Sequence, residues 1–253
     1  MKFFMPNGKE ISAEEFVEKY SDDYYLKENG EQSLVPGLDR NSRFVEKTIS
    51  EILRKGIQNE QDVARIIAWK VAKIKQRESE ENQQFIYASD WANAEQLTVT
   101  RYSNTFPLDT IAHDITSDIK RLEKLATEDP QEFLNDINKA EYKGMGSVYL
   151  ITLLYFLSKG KYPIYDQFAM KALSAIKGNI IPKSGEIVDV DVEFTDLPVK
   201  ESKGFKHVME NEMDIYIGML NETFGDKWKT DRRYDQALWA YGHLFAGNKK
   251  HTC

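Results

Sequence analysis

Two features of one segment suit chemistry on a phosphate-bearing ligand: a glycine-containing turn and an aspartate. Gly144-Met145-Gly146 separates two helix patterns, and Asp166 follows Gly146 by 20 residues, where another helix pattern begins. Glycine accepts positive φ and leaves no Cβ between a backbone amide and a phosphate. A carboxylate beside a substrate can stabilise a cationic sugar or activate water. The simpler interpretations are a helix–helix turn for the glycines and a helix cap for the aspartate.

Lysines concentrate around these two features. From 139 to 177 the chain has six lysines and two acids, a local excess of +4, whereas its overall net charge is −7. The overall charge argues against indiscriminate nucleic-acid binding, which usually needs a strongly positive surface. The local excess therefore favours an anionic ligand at this segment in particular.

The rest of the chain supplies mainly helices to hold these features, so the predicted fold class is mainly α. Asp62 and Asp129 are predicted N-caps, and the polar residues 76–84 are predicted to form a loop. Strict alternation over 186–194 predicts a small extended or β insertion. The predicted helices cover 44–57, 63–74, 84–95, 108–126, 130–140, 146–158, 166–178, 207–223 and 231–246.

The turn and the aspartate resemble those of the helix-hairpin-helix DNA glycosylases. In that superfamily a glycine–apolar–glycine hairpin precedes an apolar helix, a proline, an apolar residue and an aspartate. When the segments 162–169 and 235–242 are considered as well, the chain most resembles the bacterial 8-oxoguanine DNA glycosylase-like proteins. The residues that match the superfamily pattern are Gly144, Met145, Gly146, Pro163, Ile164 and Asp166.

This resemblance implies a two-lobed helix-hairpin-helix glycosylase-like fold. Residues 1–57 plus 166–253 would form a terminal helical lobe, and 58–165 a central lobe that carries the hairpin. It also implies that Asp166 assists hydrolysis of the N-glycosidic bond of a damaged base, with an oxidised purine as the candidate. The hairpin residues that would bind the DNA backbone are Lys143, Gly144, Met145, Gly146 and Ser147.

Two positions depart from the superfamily pattern. Tyr165 is an extra residue between Ile164 and Asp166, which changes the loop before the aspartate. Val148 stands where bifunctional members carry the lysine that forms a Schiff base with the sugar, and valine has no amine for that step. The resemblance therefore implies a monofunctional glycosylase that uses water as its nucleophile.

The last predicted helix carries a second face beside its apolar stripe, made of Arg232, Asp235, Trp239 and His243. Trp239 and Asp235 are candidates for a base pocket, because an indole can stack on a flipped base. Packing of Trp239 between domains is the favoured alternative. Just before and within the start of this helix lies a basic cluster of Lys227, Lys229, Arg232 and Arg233. It either contacts phosphate or forms a solvated helix entrance.

No cofactor or metal is expected, because the four histidines lack ligand spacing and the single cysteine, Cys253, cannot complete a metal site. The absence of a cysteine pair fits a reducing cytoplasm, and a nucleoid-associated location is expected. The expected partner is double-stranded DNA with a damaged base, bound by a monomer without membrane contact. One alternative is a non-catalytic nucleic-acid-binding module that uses the hairpin for phosphate contact. Another is a protein-interaction domain that retains only the fold.

Overall fold

The computed structural model describes residues 1–25, 43–70, 74–76, 85–87, 98–101, 104–139, 147–182 and 207–245. These residues are mainly helical, as the sequence predicted. The hairpin residues Lys143, Gly144, Met145 and Gly146 lie outside the described residues, and so does the predicted extended segment 186–194.

The described residues contain the following α-helices, numbered in chain order. They are α1 (Ala13–Asp23), α2 (Arg43–Lys55), α3 (Glu60–Lys70), α4 (Leu108–Ser117), α5 (Ile119–Glu128), α6 (Pro130–Lys139), α7 (Ser147–Leu157), α8 (Gln167–Lys177), α9 (Met213–Phe224) and α10 (Arg233–His243). A π-helical turn, Val208–Glu212, leads into α9, and a 3₁₀ turn, Lys227–Lys229, precedes α10.

Among the described residues, six short strands form three antiparallel pairs, which the helical patterns did not predict. They are β1 (Phe3–Phe4) with β2 (Glu10–Ile11), β3 (Ile74–Gln76) with β4 (Phe85–Tyr87), and β5 (Thr98–Arg101) with β6 (Asn104–Pro107). The predicted helix at 84–95 is wrong over β4, where aromatic and β-branched side chains favour a pleated strand. The predicted loop at 76–84 is likewise wrong at Gln76, which ends β3.

The helix boundaries correct two further predictions. The single helix predicted at 108–126 is two helices, because the backbone leaves helical geometry at Asp118, with φ −118° and ψ 20°. Asp62 does not cap α3: the side chain of Asn59 accepts the Asp62 amide at 3.1 Å, so Asn59 has that role. Asp129 is confirmed as a cap, since its carboxylate accepts the Glu132 amide at 2.9 Å.

The chain divides into two compact units, and the first contains the described residues 1–25, 165–182 and 212–245. Within it, α10 packs against both α1 and α8. Its core is aromatic: the Phe16 ring meets the Tyr241 ring edge-on, with centroids 5.0 Å apart, and also contacts the rings of Phe3, Tyr20 and Phe224.

The second unit contains the described residues between 43 and 164 together with 207–211. Its most apolar helix is α7, where every residue from 150 to 157 is buried, and it packs against α3 and α5. The apolar run 148–157 is too short to span a membrane and predicts a buried helix, which this burial confirms. The predicted lobes placed 43–57 with the chain ends, whereas the contacts group α2 with the second unit. None of the helices in the described ranges is long and apolar enough to cross a membrane.

Candidate functional site

Asp166 is the N-cap of α8, the residue directly before its first turn. Its backbone is extended, with φ −136° and ψ 140°, and its Oδ1 accepts the Phe168 amide at 2.9 Å. This hydrogen bond satisfies one of the amides that a helix start leaves without an intrahelical acceptor. The predicted N-cap is therefore confirmed, and the half-buried carboxylate is fixed to the first turn of α8.

Tyr165 anchors the chain immediately before Asp166. Its hydroxyl donates to Oε2 of Glu212 at 2.6 Å, and both side chains are buried. Its ring meets the Tyr216 ring edge-on, with centroids 5.1 Å apart. Burial and the Glu212 carboxylate raise the pKa of Tyr165, so it remains a neutral donor. Tyr165, the extra residue relative to the superfamily pattern, thus fixes the chain directly before Asp166.

The first turn of α8 is also supported by α10, through Gly242. A Cβ built on this residue would lie 2.5 Å from the carbonyl carbon of Phe168 and would overlap its oxygen. Glycine is therefore required here for the backbones of α8 and α10 to make this contact. Because the same Phe168 donates its amide to Asp166, the close approach of the two helices fixes the capping turn.

His243, the residue after Gly242, stacks on the ring of Phe168. The two ring centroids lie 3.6 Å apart at an interplanar angle of 23°, and the Trp239 ring lies 3.9 Å from the imidazole on a tilt. Nδ1 of His243 lies 2.8 Å from the Trp239 carbonyl oxygen. Burial lowers the pKa of His243, opposed by this hydrogen bond and by Asp166. The imidazole is therefore neutral at physiological pH.

Trp239 and Asp235 lie in the same packing of α8, α9 and α10. The half-buried indole of Trp239 meets the rings of Tyr24 and Phe168 edge-on, with centroids 5.4 and 6.1 Å away. These rings belong to its own unit. Asp235 accepts from Arg232 at 2.8 Å, and together with Asp166 it adds to the effect of burial in raising the pKa of Tyr216. The structure thus brings the candidate pocket residues and the predicted aspartate into one region.

The basic cluster before and at the start of α10 is matched by acids. The nitrogen–oxygen pairs are Lys227–Glu14 (2.9 Å), Lys229–Asp226 (2.5 Å), Arg232–Asp235 (2.8 Å) and Arg233–Asp231 (2.6 Å). Each cation of the cluster therefore faces a carboxylate. This arrangement favours an ion-paired helix entrance over a phosphate site, since a phosphate would have to compete with these acids.

Sequence reasoning found Asp166, Asp235 and Trp239 but not the residues that hold them. Gly242 had only a weak signal, because a glycine inside a helical pattern can mark close packing, yet Gly218 inside α9 has open space around it. Glu212 had none, since it reaches Tyr165 from 47 positions along the chain. Of the predicted hairpin residues, only Ser147 falls in the described part of the chain, where it begins α7.

The described residues hold no cluster of three or more histidine, cysteine or acidic side chains suited to a metal ion. Their chemistry at the start of α8 thus consists of a fixed carboxylate, a neutral imidazole and an indole, all within one unit. No family model, curated protein or solved structure matches the chain.

Proposed function

We propose that this chain is a DNA glycosylase-like enzyme that removes a damaged base by hydrolysing its N-glycosidic bond. An oxidised purine is the candidate base, and the helix-hairpin-helix glycosylase fold is part of the proposal. The observation that carries it is the Asp166 carboxylate, held by the Phe168 amide at the start of α8 beside half-buried aromatic rings. A carboxylate with a fixed position is what stabilisation of a developing cation requires.

The chemistry proceeds through a sugar with oxocarbenium character. The N-glycosidic bond breaks with its electron pair going to the base, which takes a proton from solvent. The charge of Asp166 stabilises the cationic sugar, and the oxygen of a water molecule then bonds to the anomeric carbon. The proton of that water passes to the carboxylate and on to solvent.

The surrounding residues have proposed roles in binding. Trp239 is proposed to stack on a flipped base, whose unstacking from the duplex costs a few kcal/mol that pocket contacts offset. Asp235 lies on the same helix face, four residues earlier. The backbone amides of the hairpin, 143–147, are proposed to contact one phosphate of the DNA.

The test is release of free base from duplexes that each carry one lesion, comparing the natural chain with Asp166→Asn. Asparagine keeps a capping oxygen, so the free energy of unfolding should change by about 1 kcal/mol or less. Base release should fall by orders of magnitude, because the substitution removes the charge. The matched control is Asp129→Asn, which changes the cap of α6 in the same way and should leave base release intact.

The DNA product shows whether water or a lysine amine is the nucleophile. With valine at 148, the natural chain should leave an abasic strand that breaks only after alkali, and borohydride should trap no covalent adduct. A wild-type rate in Asp166→Asn would reduce this aspartate to a helix cap. Binding to the duplexes without base release by the natural chain would instead identify a nucleic-acid-binding module.

A further inference from the structure

His243 occupies a place from which it can act on Asp166 through one intermediate residue. Its ring covers the Phe168 ring at 3.6 Å, and the Phe168 amide is the donor that Asp166 accepts. Gly242 holds the backbone of the same Phe168 from the neighbouring position on α10. One turn of α10 therefore constrains both the ring and the main chain of the residue that caps with Asp166.

The hydrogen bond to Trp239 defines the state of the imidazole. A carbonyl oxygen can only accept, so Nδ1 of His243 carries the proton in this bond. In the neutral ring Nε2 is then an acceptor without a proton. The charged groups of the packed helix α8 that act on the ring are Asp166, which favours protonation, and Lys171, which opposes it.

We propose that His243 is a positioning residue for the Asp166 carboxylate: its neutral ring holds Phe168 in place, and its protonation compensates the charge that Asp166 offers to the substrate. The inference rests on the proposed function for its catalytic consequence. Because Asp166 favours protonation of His243, an imidazolium at this position would in turn offset part of the negative field of the Asp166 carboxylate and change the electrostatic surroundings of the Phe168 amide. The enzyme would then lose rate under acid conditions while its fold persists.

Three variants separate these effects. His243→Phe keeps a flat ring for stacking but cannot be protonated, whereas His243→Ala removes the stack. His113→Phe is the matched control, because His113 is an exposed histidine that pairs with Glu60 at 2.7 Å. The probes are the NMR amide shift of Phe168 and the imidazole shifts of His243 in the full chain, followed between pH 7 and 5.

The Phe168 amide should titrate together with His243 in the natural chain and in His113→Phe, and should remain flat in His243→Phe. Base release in the natural chain should fall as pH decreases through the pKa of His243 and level off at a lower rate. In His243→Phe this decrease toward acid should disappear, because the phenyl ring cannot be protonated. His243→Ala should lower the rate at every pH.

Two results would overturn the inference. One is a Phe168 amide shift that does not follow the titration of His243. The other is an acid limb of the rate profile that is unchanged in His243→Phe. If no chain releases base yet the Phe168 amide titrates with His243, the proposed function fails while the coupling between His243 and the cap stands.

Discussion

The start of α8 and the segment from Lys227 to Asp235 both carry charges that sequence analysis singled out, and the structure treats them differently. At α8, the Asp166 carboxylate is bound to the Phe168 amide and lies near a neutral histidine. In the other segment, each arginine or lysine of the cluster pairs with an acid. The first region therefore fixes a carboxylate by a backbone amide beside a neutral ring, whereas in the second each cation is held by a carboxylate.

This difference shows that a cluster of like charges in the sequence does not establish a charged site. Three of the acids, Asp226, Asp231 and Asp235, lie within three residues of the cations they pair with. Acids this close in sequence can reach the neighbouring cations, and exposed ion pairs are energetically modest. Counting these three acids with the four cations therefore favours an ion-paired segment over a phosphate-binding site from the sequence alone.

The largest effect is expected from Gly242→Ala, which breaks the support of the α8 region. The new Cβ would overlap the Phe168 carbonyl, and only separation of α8 and α10 relieves the overlap. Urea unfolding should show a loss of about 2–3 kcal/mol or more. The matched control is Gly218→Ala in α9, where no atom lies within 4 Å of the added Cβ.

In the control, alanine should stabilise the helix by up to about 1 kcal/mol, because its intrinsic helix propensity exceeds that of glycine. If Gly242→Ala is as stable as Gly218→Ala, then the close contact of α8 and α10 does not hold the capping turn.

A smaller effect is expected from acid. Because burial lowers the pKa of His243 in the folded chain, the unfolded chain takes up the proton first, at about pH 6.5. Stability should therefore decrease as pH falls below this value and level off below the folded pKa.

Urea unfolding of the natural chain and His243→Phe at pH 7, 6 and 5 measures this loss. His113 has the opposite sign, since its pairing with Glu60 raises its pKa, and that contribution is lost as pH rises through the folded pKa. His113→Phe should therefore retain the decrease toward acid. An identical decrease in His243→Phe would assign it to another group.

The smallest effect is expected from Lys227→Ala and Arg233→Ala in the ion-paired segment. Because Glu14 and Asp231 compensate these cations, DNA affinity should stay within about twofold, with the same dependence on salt. Fluorescence anisotropy with a labelled duplex measures both quantities. Lys143→Ala provides the contrast, since it lies in the proposed phosphate-binding hairpin. A loss of affinity in Lys227→Ala as large as that in Lys143→Ala would contradict the distinction.

The sequence predicted those elements whose signal is local. Asp129 and Asp166 cap their helices as predicted, because the short side chain reaches an amide two or three residues away. Apolar continuity likewise predicted the burial of α7. Local signals failed for β4, whose partner β3 lies across a connection, and for Asp62, where the neighbouring Asn59 competes for the capping position.

Of the candidate site, the sequence pointed to Asp166, Asp235, Trp239 and His243 but not to the residues that support Asp166. The position of Asp166 follows from the residues beside it, whereas Glu212 and Gly242 act across the fold from distant parts of the chain. A single sequence does not contain the pairing between such residues. The neutral state of His243 is equally nonlocal, because it depends on the burial that packing creates.

The apolar surface of α7 has a consequence for how the chain folds. A helix buried on every side exposes apolar side chains to solvent until the helices that cover it have packed against it. One of these, α3, lies roughly 80 residues earlier in the chain. Closing that loop costs entropy before the contact repays it, so this pairing slows collapse to the native state. During synthesis, α3 leaves the ribosome long before α7 can cover it, and the interval is a window for aggregation.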